Sequence, residues 1–229
     1  MVFAIIVAAG IGKRMDDSLK KQYILLKGRP ILDFTLAAIS SCKRIDRIFL
    51  VVPEEDFDFC HRNIPGVSAY IDKLQLVAGG TTRQESVYNG LRAIKDSEGL
   101  VVIHDGVRPF VRPEQVEACI ESAGKYGSCI LGIPAHDTLK SVKASGQIEK
   151  TVARDTIWLS QTPQAFRLEL IKKAHDNAIK DRYAGSDDAS LVERLGEKVK
   201  IILGSKYNIK ITTKEDLLIA QALINYELV

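Results

Sequence analysis

Six short apolar runs recur along the chain, at 3–7, 47–52, 74–77, 100–104, 128–133 and 198–203. They are dense in Val, Ile and Leu and scarcely alternate with polar residues, the pattern of strands covered on both faces. Between them, helical spacing predicts helices over 31–41, 84–95, 113–125 and 168–179. Pro30 and Pro113 stand where proline is welcome, at or near a first helical turn. Thr212-Thr213-Lys214-Glu215 reads as a capping box that opens a last helix through Tyr226. Strands and helices that alternate in this way predict an α/β fold with a mostly parallel sheet and right-handed crossovers.

One stretch breaks the rhythm. Over 138–158 the pattern turns polar and alternating: Leu139-Lys140-Ser141-Val142-Lys143, a turn at Ser145-Gly146, then Ile148-Glu149-Lys150-Thr151-Val152. That predicts a β-hairpin arm projecting from the sheet. A two-stranded ribbon is marginal alone, so a partner surface is expected to steady it. Otherwise 229 residues, 46% of them hydrophobic, suit one globular domain over 1–229 with an ample core.

Charge narrows the partners. Lys and Arg number 32 against 29 acidic residues, a formal net charge of +3, which announces neither nucleic acid nor a membrane surface. Hydrophobic runs stay below the roughly 18 residues of a spanning helix, and Gly, Lys and Arg follow the first run too soon for a secretory signal. Cys42, Cys60, Cys119 and Cys129 form no CxxC pair and have no His at metal-ligand spacing. Scattered reduced thiols, and with them a cytoplasmic protein, are expected.

Four polar segments carry the candidate chemistry. Ala8-Ala9-Gly10-Ile11-Gly12-Lys13-Arg14-Met15 follows the first strand directly. Small residues let the backbone approach a ligand closely, and glycines can turn N–H groups toward an anion. Lys13, Arg14, Lys20 and Lys21 add four cations within nine residues, which suits a triphosphate. The loop is neither a Walker A motif nor a good dinucleotide fingerprint, since Met15 stands where the third glycine belongs. The plain alternative is a glycine-rich turn with solvated basic residues. His104-Asp105-Gly106-Val107-Arg108-Pro109 closes a buried strand, where ligands of open α/β sheets bind, or else forms a turn with an internal Asp–Arg pair. Gly79-Gly80-Thr81-Thr82-Arg83-Gln84-Glu85-Ser86 joins a strand to a helix, offering backbone donors to a base edge or simply capping threonines. In Asn208-Ile209-Lys210-Ile211-Thr212, read as a short strand, Lys210 points to solvent or into a cleft as a phosphate ligand.

Further polar groups, Asp137-Thr138, Arg154-Asp155 and Gln161-Thr162-Pro163-Gln164, surround the expected arm. His61 and His175 read as surface helix residues, and no histidine is assigned a role. HExxH, GxSxG and aromatic RNA-binding motifs are absent, which argues against those classes.

Taken in order, AAGIGKRM, KQY, GGTTRQESV, HDGVRP, the DT before the arm, QTPQ, SDDAS and NIKIT resemble the 2-C-methyl-D-erythritol 4-phosphate cytidylyltransferase family over nearly the whole chain. The resemblance implies a Rossmann-like, three-layer nucleotidyltransferase fold with a β-arm, and a homodimer that exchanges arms. It implies transfer of CMP from CTP to a sugar-alcohol phosphate, with release of pyrophosphate and Mg2+ as cofactor. Arg14, Lys21 and Lys210 match the catalytic cations around the phosphates. Ala8, Ala9, Gly10, Gly12, Lys13, Gly80, Thr81 and Ser86 match the nucleotide-binding shell, with Asp105 and Arg108 beside CTP. Asp105 is also the candidate metal contact, although the CTP phosphates hold most of the Mg2+. Thr138, Arg154 and Thr162 match the acceptor-binding region. The chain departs from the family pattern at three places: Thr81 replaces a frequent acidic residue, Gly106-Val107 follow Asp105 where two small alanines are usual, and Lys20 replaces the proline usual before KQY.

The chemistry implied is self-consistent, because a phosphate nucleophile is ionised near neutral pH and needs no strong general base. A ribitol-5-phosphate cytidylyltransferase shares most of these motifs, but its usual Leu-Ala-Gly-Gly loop fits Ala8-Ala9-Gly10 less well. A non-catalytic nucleotide-binding regulator is the rival of another class, and retention of Arg14, Lys21 and Lys210 together argues against it.

Overall fold

A computed structural model describes residues 1–10 and 20–226. Its strands are β1 (Val2–Val7), the two-residue pair β2 (Leu25–Leu26) and β3 (Arg29–Pro30), β4 (Arg47–Val52), β5 (Leu74–Ala78), β6 (Leu100–Asp105) and β7 (Ser128–Pro134). There follow β8 (Leu139–Val142), β9 (Ile148–Val152), β10 (Trp158–Arg167) and β11 (Lys200–Leu203). The α-helices are α1 (Ile31–Ser40), α2 (Phe57–Asn63), α3 (Pro65–Ala69), α4 (Arg83–Ala93), α5 (Pro113–Tyr126), α6 (Leu168–Lys180), α7 (Asp188–Arg194) and α8 (Lys214–Asn225).

Seven strands form one sheet in the order β11-β7-β10-β6-β1-β4-β5. Every neighbouring pair is parallel except those of β10, which runs antiparallel to both β6 and β7. All six expected strands are present, so the mostly parallel α/β fold is borne out. The pattern missed the short pair β2 and β3 and, in the main sheet, β10. Its middle, Gln161-Thr162-Pro163-Gln164, interrupts the apolar run, and the register with β7 shifts between Gln161 and Gln164. A buried strand whose polar side chains are satisfied by tertiary partners leaves no hydrophobic trace.

The two-sided burial of the sheet follows from β1. Phe3 and Ile5 pack with Val87 and Leu91 of α4 and Ile171 and Ala174 of α6. Ala4 and Ile6 face the other way, toward Leu32, Leu36 and Ile39 of α1 and Val116 and Ile120 of α5. Both faces of one strand therefore bury apolar side chains, which is why the sequence barely alternates. Register then aligns the strand ends: Val7 pairs with Val51 and with Asp105, and Val52 with Ala78. The segments that leave β1, β5 and β6 thus emerge side by side on one edge of the sheet.

β8 and β9 pair antiparallel as a separate two-stranded ribbon, matching the expected arm. Lys143 N donates to Gln147 O and Gly146 N to Lys143 O; Gly146 takes φ +83°, which glycine adopts without strain. No helix among the described residues is long and apolar enough to cross a membrane, and the four cysteines are free and buried.

The cap of α8 lies one residue later than the sequence suggested. Thr213, not Thr212, is the N-cap, and its hydroxyl accepts from Asp216 N at 3.2 Å. Asp216 wins over Glu215 because its shorter side chain turns back to accept from Thr212 N, Thr212 Oγ1 and Thr213 N at 2.8–2.9 Å. Asp216→Ala is expected to cost about 1–2 kcal/mol of stability, the loss of a well-made cap. A chemical-denaturation midpoint unchanged by the substitution would contradict it.

Candidate active site

The aligned strand ends build a cavity of about 370 Å3. Ala8, Ala9 and Gly10 form one wall, Gly80, Thr81, Thr82, Arg83 and Ser86 another, with Lys21, Gln22, Asp105, Val107 and Lys210 closing it. A Cβ at Gly79 would overlap the Ala9 side chain, and one at Gly106 would lie 2.8 Å from that of Ala8. The end of β1 is therefore wedged between two glycine turns, and bulkier residues on either side would force the walls apart. Gln22 Nε2 donates to Ala8 O at 2.7 Å, tying the segment that carries Lys21 to the same wall.

Asp105 is the electrostatic centre. Its side chain is 7% exposed, with Arg83 Nε 3.0 Å from Oδ1 and Lys210 Nζ 2.8 Å from Oδ2. Arg108 Nε stands 3.5 Å from Oδ2, and its NH1 donates to Asn208 O at 2.7 Å. Burial pushes the Asp105 carboxyl up, but Arg83, Lys210 and Arg108 outweigh it and hold the group well below the usual carboxylate range. Arg83 is shared: its NH1 donates to the buried Asp188 at 2.8 Å, and Asp188 in turn meets His175 Nε2 at 3.1 Å. Asp188 is likewise depressed: burial opposes ionisation, but Arg83 and His175 prevail. Three cations, Arg83, Arg108 and Lys210, thus surround two carboxylates. The surplus positive charge reaches the cavity through Lys210, whose side chain is 37% exposed.

Beneath Asp105 lies a neutral histidine. Arg108 O can only accept, so His104 Nε2, 3.0 Å away, carries the proton. Nδ1 therefore accepts from Thr162 Oγ1 at 3.0 Å, and Thr162 Oγ1 itself accepts from Asp105 N at 3.0 Å. Burial pushes the His104 imidazole down to about 4.

Of the residues singled out from sequence, Ala8, Ala9, Gly10, Lys21, Gly80, Thr81, Ser86, Asp105 and Lys210 line this one cavity. Gly12, Lys13 and Arg14 lie outside the described residues. Arg108 sits behind Asp105 rather than on the wall. Thr162 is 5% exposed, and its hydroxyl is engaged by Asp105 and His104, so it supports the cavity rather than lining it. Thr138 and Arg154 are exposed at the root of the arm, where Arg154 NH1 donates to His136 O.

Three expectations change. Lys20 turns away from the cavity to pair with Asp56 at 2.7 Å and Glu55 at 2.9 Å. Lys210 belongs to no strand; Ile211 N bonds Val107 O, and buried Ile211 and Asn208 flank the lysine. His175 is wholly buried, facing Asp188, because the opposite side of its helix carries the solvated polar residues. Arg83 and Gln22 were missed. Arg83 sits three residues before Ser86 in a motif already noted, but its link to Asp188 spans 105 positions and leaves no mark in local spacing.

The family model for 2-C-methyl-D-erythritol 4-phosphate cytidylyltransferase matches residues 2–226. The chain belongs to this family. It is 45% identical over 230 residues to the 2-C-methyl-D-erythritol 4-phosphate cytidylyltransferase of Geobacter metallireducens, covering 99% of both chains. Against the Syntrophus aciditrophicus protein of the same name it is 46% identical, covering 99% of this chain and 97% of the other. Its fold is similar to the crystal structure of 4-diphosphocytidyl-2C-methyl-D-erythritol synthase from Anaerococcus prevotii, with a TM-score of 0.87, 36% identity and coverage of 98% and 96%. The Francisella tularensis 2-C-methyl-D-erythritol 4-phosphate cytidylyltransferase superposes with a TM-score of 0.82 at 35% identity, covering 96% and 98%. In this cytidylyltransferase family member, the residues that carry the sequence resemblance and the residues that line the cavity are largely the same set.

His104 gives this site a pH signature. The unfolded chain takes up a proton near pH 6.5 that the folded chain refuses until about 4. Stability from the neutral ring is therefore complete above the unfolded value and declines as pH falls, by about 3 kcal/mol in all. Urea unfolding between about pH 7 and about pH 4.5 is expected to show this loss, with a shallower slope in His104→Asn. Equal slopes would remove His104 as its source.

Proposed function

We propose that the chain transfers the cytidylyl group of CTP to 2-C-methyl-D-erythritol 4-phosphate and releases pyrophosphate. The observation that carries this reading is the cavity itself. A small-residue wall at the end of β1 faces a glycine turn, and Lys21 and Lys210 stand at its mouth above the buried Asp105. Small residues and glycines admit a base and ribose against the backbone, while the lysines meet the phosphates.

In the reaction, an ionised oxygen of the acceptor phosphate attacks the α-phosphorus of CTP. The bond from that phosphorus to the bridging oxygen breaks, and pyrophosphate departs with the electron pair. No side chain must remove a proton, in keeping with a lining that, among the described residues, holds neither histidine nor unpaired carboxylate. The work of the chain is to align the two phosphates and stabilise charge on the departing one. Lys21 does so from the β1 side and Lys210 from the Asp105 side, and Arg14 is assigned to the same task. Asp105, itself held by Arg83, keeps Lys210 in place.

Magnesium is assigned to the nucleotide. Among the described residues no cluster of three or more His, Cys, Asp or Glu could hold a metal. Asp105, the one carboxylate of the lining among the described residues, already meets Arg83, Arg108 and Lys210. These residues do not fit a protein-held ion, whereas phosphate oxygens are natural ligands for one.

We further propose a homodimer joined by the arms, in which Thr138 and Arg154 reach the acceptor in the partner's site. Val142, Ile148, Trp158 and Leu159 leave apolar surface exposed on the arm and its root, which a second copy would cover. Buried unpaired thiols suit the cytoplasm as its compartment.

The decisive assay is pyrophosphate release from CTP with methylerythritol phosphate and ribitol phosphate offered in parallel. Turnover is expected with the former, and preference for the latter would overturn the assignment. Lys21→Ala is expected to lower kcat by about two orders of magnitude, as for loss of one preorganised charge-stabilising group; near-normal kcat would return Lys21 to an ordinary surface lysine. Mixed Lys21→Ala and Arg154→Ala subunits are expected to regain partial activity. Mixtures that stay inactive after confirmed subunit exchange, or a protein that sediments as a monomer, would exclude the shared site.

A further inference from the structure

The turn that bears Lys21 is held at both ends by a single carboxylate oxygen outside the cavity. Lys20 Nζ donates to Asp56 Oδ2 at 2.7 Å, and Tyr23 Oη donates to the same oxygen at 2.9 Å. Glu55 Oε1 adds a more exposed contact to Lys20 at 2.9 Å. Asp56 closes the helical turn Glu54–Asp56 that follows β4, and its side chain is 14% exposed. Tyr23 is buried, its ring centroid 4.7 Å from that of Phe59, and Cys60 Sγ lies 3.6 Å from its hydroxyl.

Between those two anchors, Lys21 and Gln22 face the cavity. The segment Lys21–Tyr23 is one turn of 3-10 helix, closed by Tyr23 N to Lys20 O at 2.9 Å and Ile24 N to Lys21 O at 3.3 Å. A single such turn has little stability of its own, so its position depends on what its side chains grip. Gln22 fixes the middle on Ala8 O, and Asp56 fixes both ends.

We propose that Asp56 is a positioning residue of the transfer reaction, setting where the Lys21 ammonium stands by holding Lys20 and Tyr23. This rests on the reading of Lys21 as a phosphate-stabilising cation. Asp56 touches neither substrate nor the reacting atoms. Its signature is a lower rate per folded active site, because about 1 Å of misplacement at a reacting centre can cost about a hundredfold.

Lys20 supplies an independent check. Its backbone sits at φ −60° and ψ 133°, a conformation that a proline ring adopts without strain. Lys20→Pro therefore stiffens the entry to the turn without the ion pair, and in an Asp56→Ala protein it should replace part of what the carboxylate did.

The test measures kcat and KM for CTP in full-length Asp56→Ala, Lys20→Ala, Lys21→Ala and the double variant Asp56→Ala/Lys20→Pro, with rates divided by active sites counted in a single-turnover burst. Asp56→Ala and Lys20→Ala are each expected to lose about tenfold in kcat with KM for CTP little changed, and the double variant to recover most of that loss. A purely structural role would lower the number of active sites and leave kcat per site unchanged, which overturns the proposal. A tenfold loss that Lys20→Pro leaves untouched also overturns it. If Lys21→Ala is slow while Asp56→Ala is normal, the positioning role alone fails. If Lys21→Ala is itself normal, the reading of Lys21 fails first.

Discussion

A carboxylate buried at the end of β6 and ionised against the cost of burial organises this molecule's chemistry. Asp105 stays charged because Arg83, Lys210 and Arg108 converge on it. A buried charge stripped of its partners would be severely unfavourable, so each cation must be delivered to within hydrogen-bonding reach. That requirement reaches across the fold. Arg83 comes from the first turn of α4, Arg108 from the turn after β6, and Lys210 from the segment preceding α8. The same constraint extends outward through Asp188 to His175 in the layer of α6 and α7.

The arrangement also explains why the cavity is positive although the whole chain is nearly neutral. Net charge says little when three cations gather on two interior carboxylates and one of them, Lys210, remains partly exposed. Lys20 and Lys21 illustrate the point side by side. Adjacent in sequence and equal in charge, they part at the turn, one toward Asp56 and Glu55 and the other toward the cavity. The first commits its charge to an ion pair outside the cavity; the second lies in the cavity wall.

Rigid support and open access are divided between different elements. The walls stand on strand ends locked by register and by close packing at Gly79 and Gly106. Below them, the Asp105–Thr162–His104–Arg108 chain of hydrogen bonds fixes the floor with a neutral ring, so that no second charge competes beneath Asp105. The arm follows other rules. It pairs with itself, alternates polar and apolar residues, and exposes Val142 and Ile148.

Much of this was legible in the amino-acid sequence because it depends on local pattern. Strands buried on both faces must be continuously apolar, so β1, β4, β5, β6, β7 and β11 announce themselves, and a hairpin with Ser145-Gly146 at its turn announces the arm. Loops that meet ligands must be small and polar, so three of the cavity's walls could be read as motifs, and their joint order indicated the family. What only the tertiary structure decided depends on partners far apart in the chain. β10 was hidden because Gln161, Thr162 and Gln164 are buried by hydrogen bonds to Ser205, Asn208, His104 and Asp187 rather than by apolar character. The directions of Lys20 and His175, the engagement of Thr162 and the bridging role of Arg83 are set by which carboxylate or ring lies within reach. Periodicity and composition report whether a residue favours burial; they carry no record of the distant group that makes burial of a charge affordable.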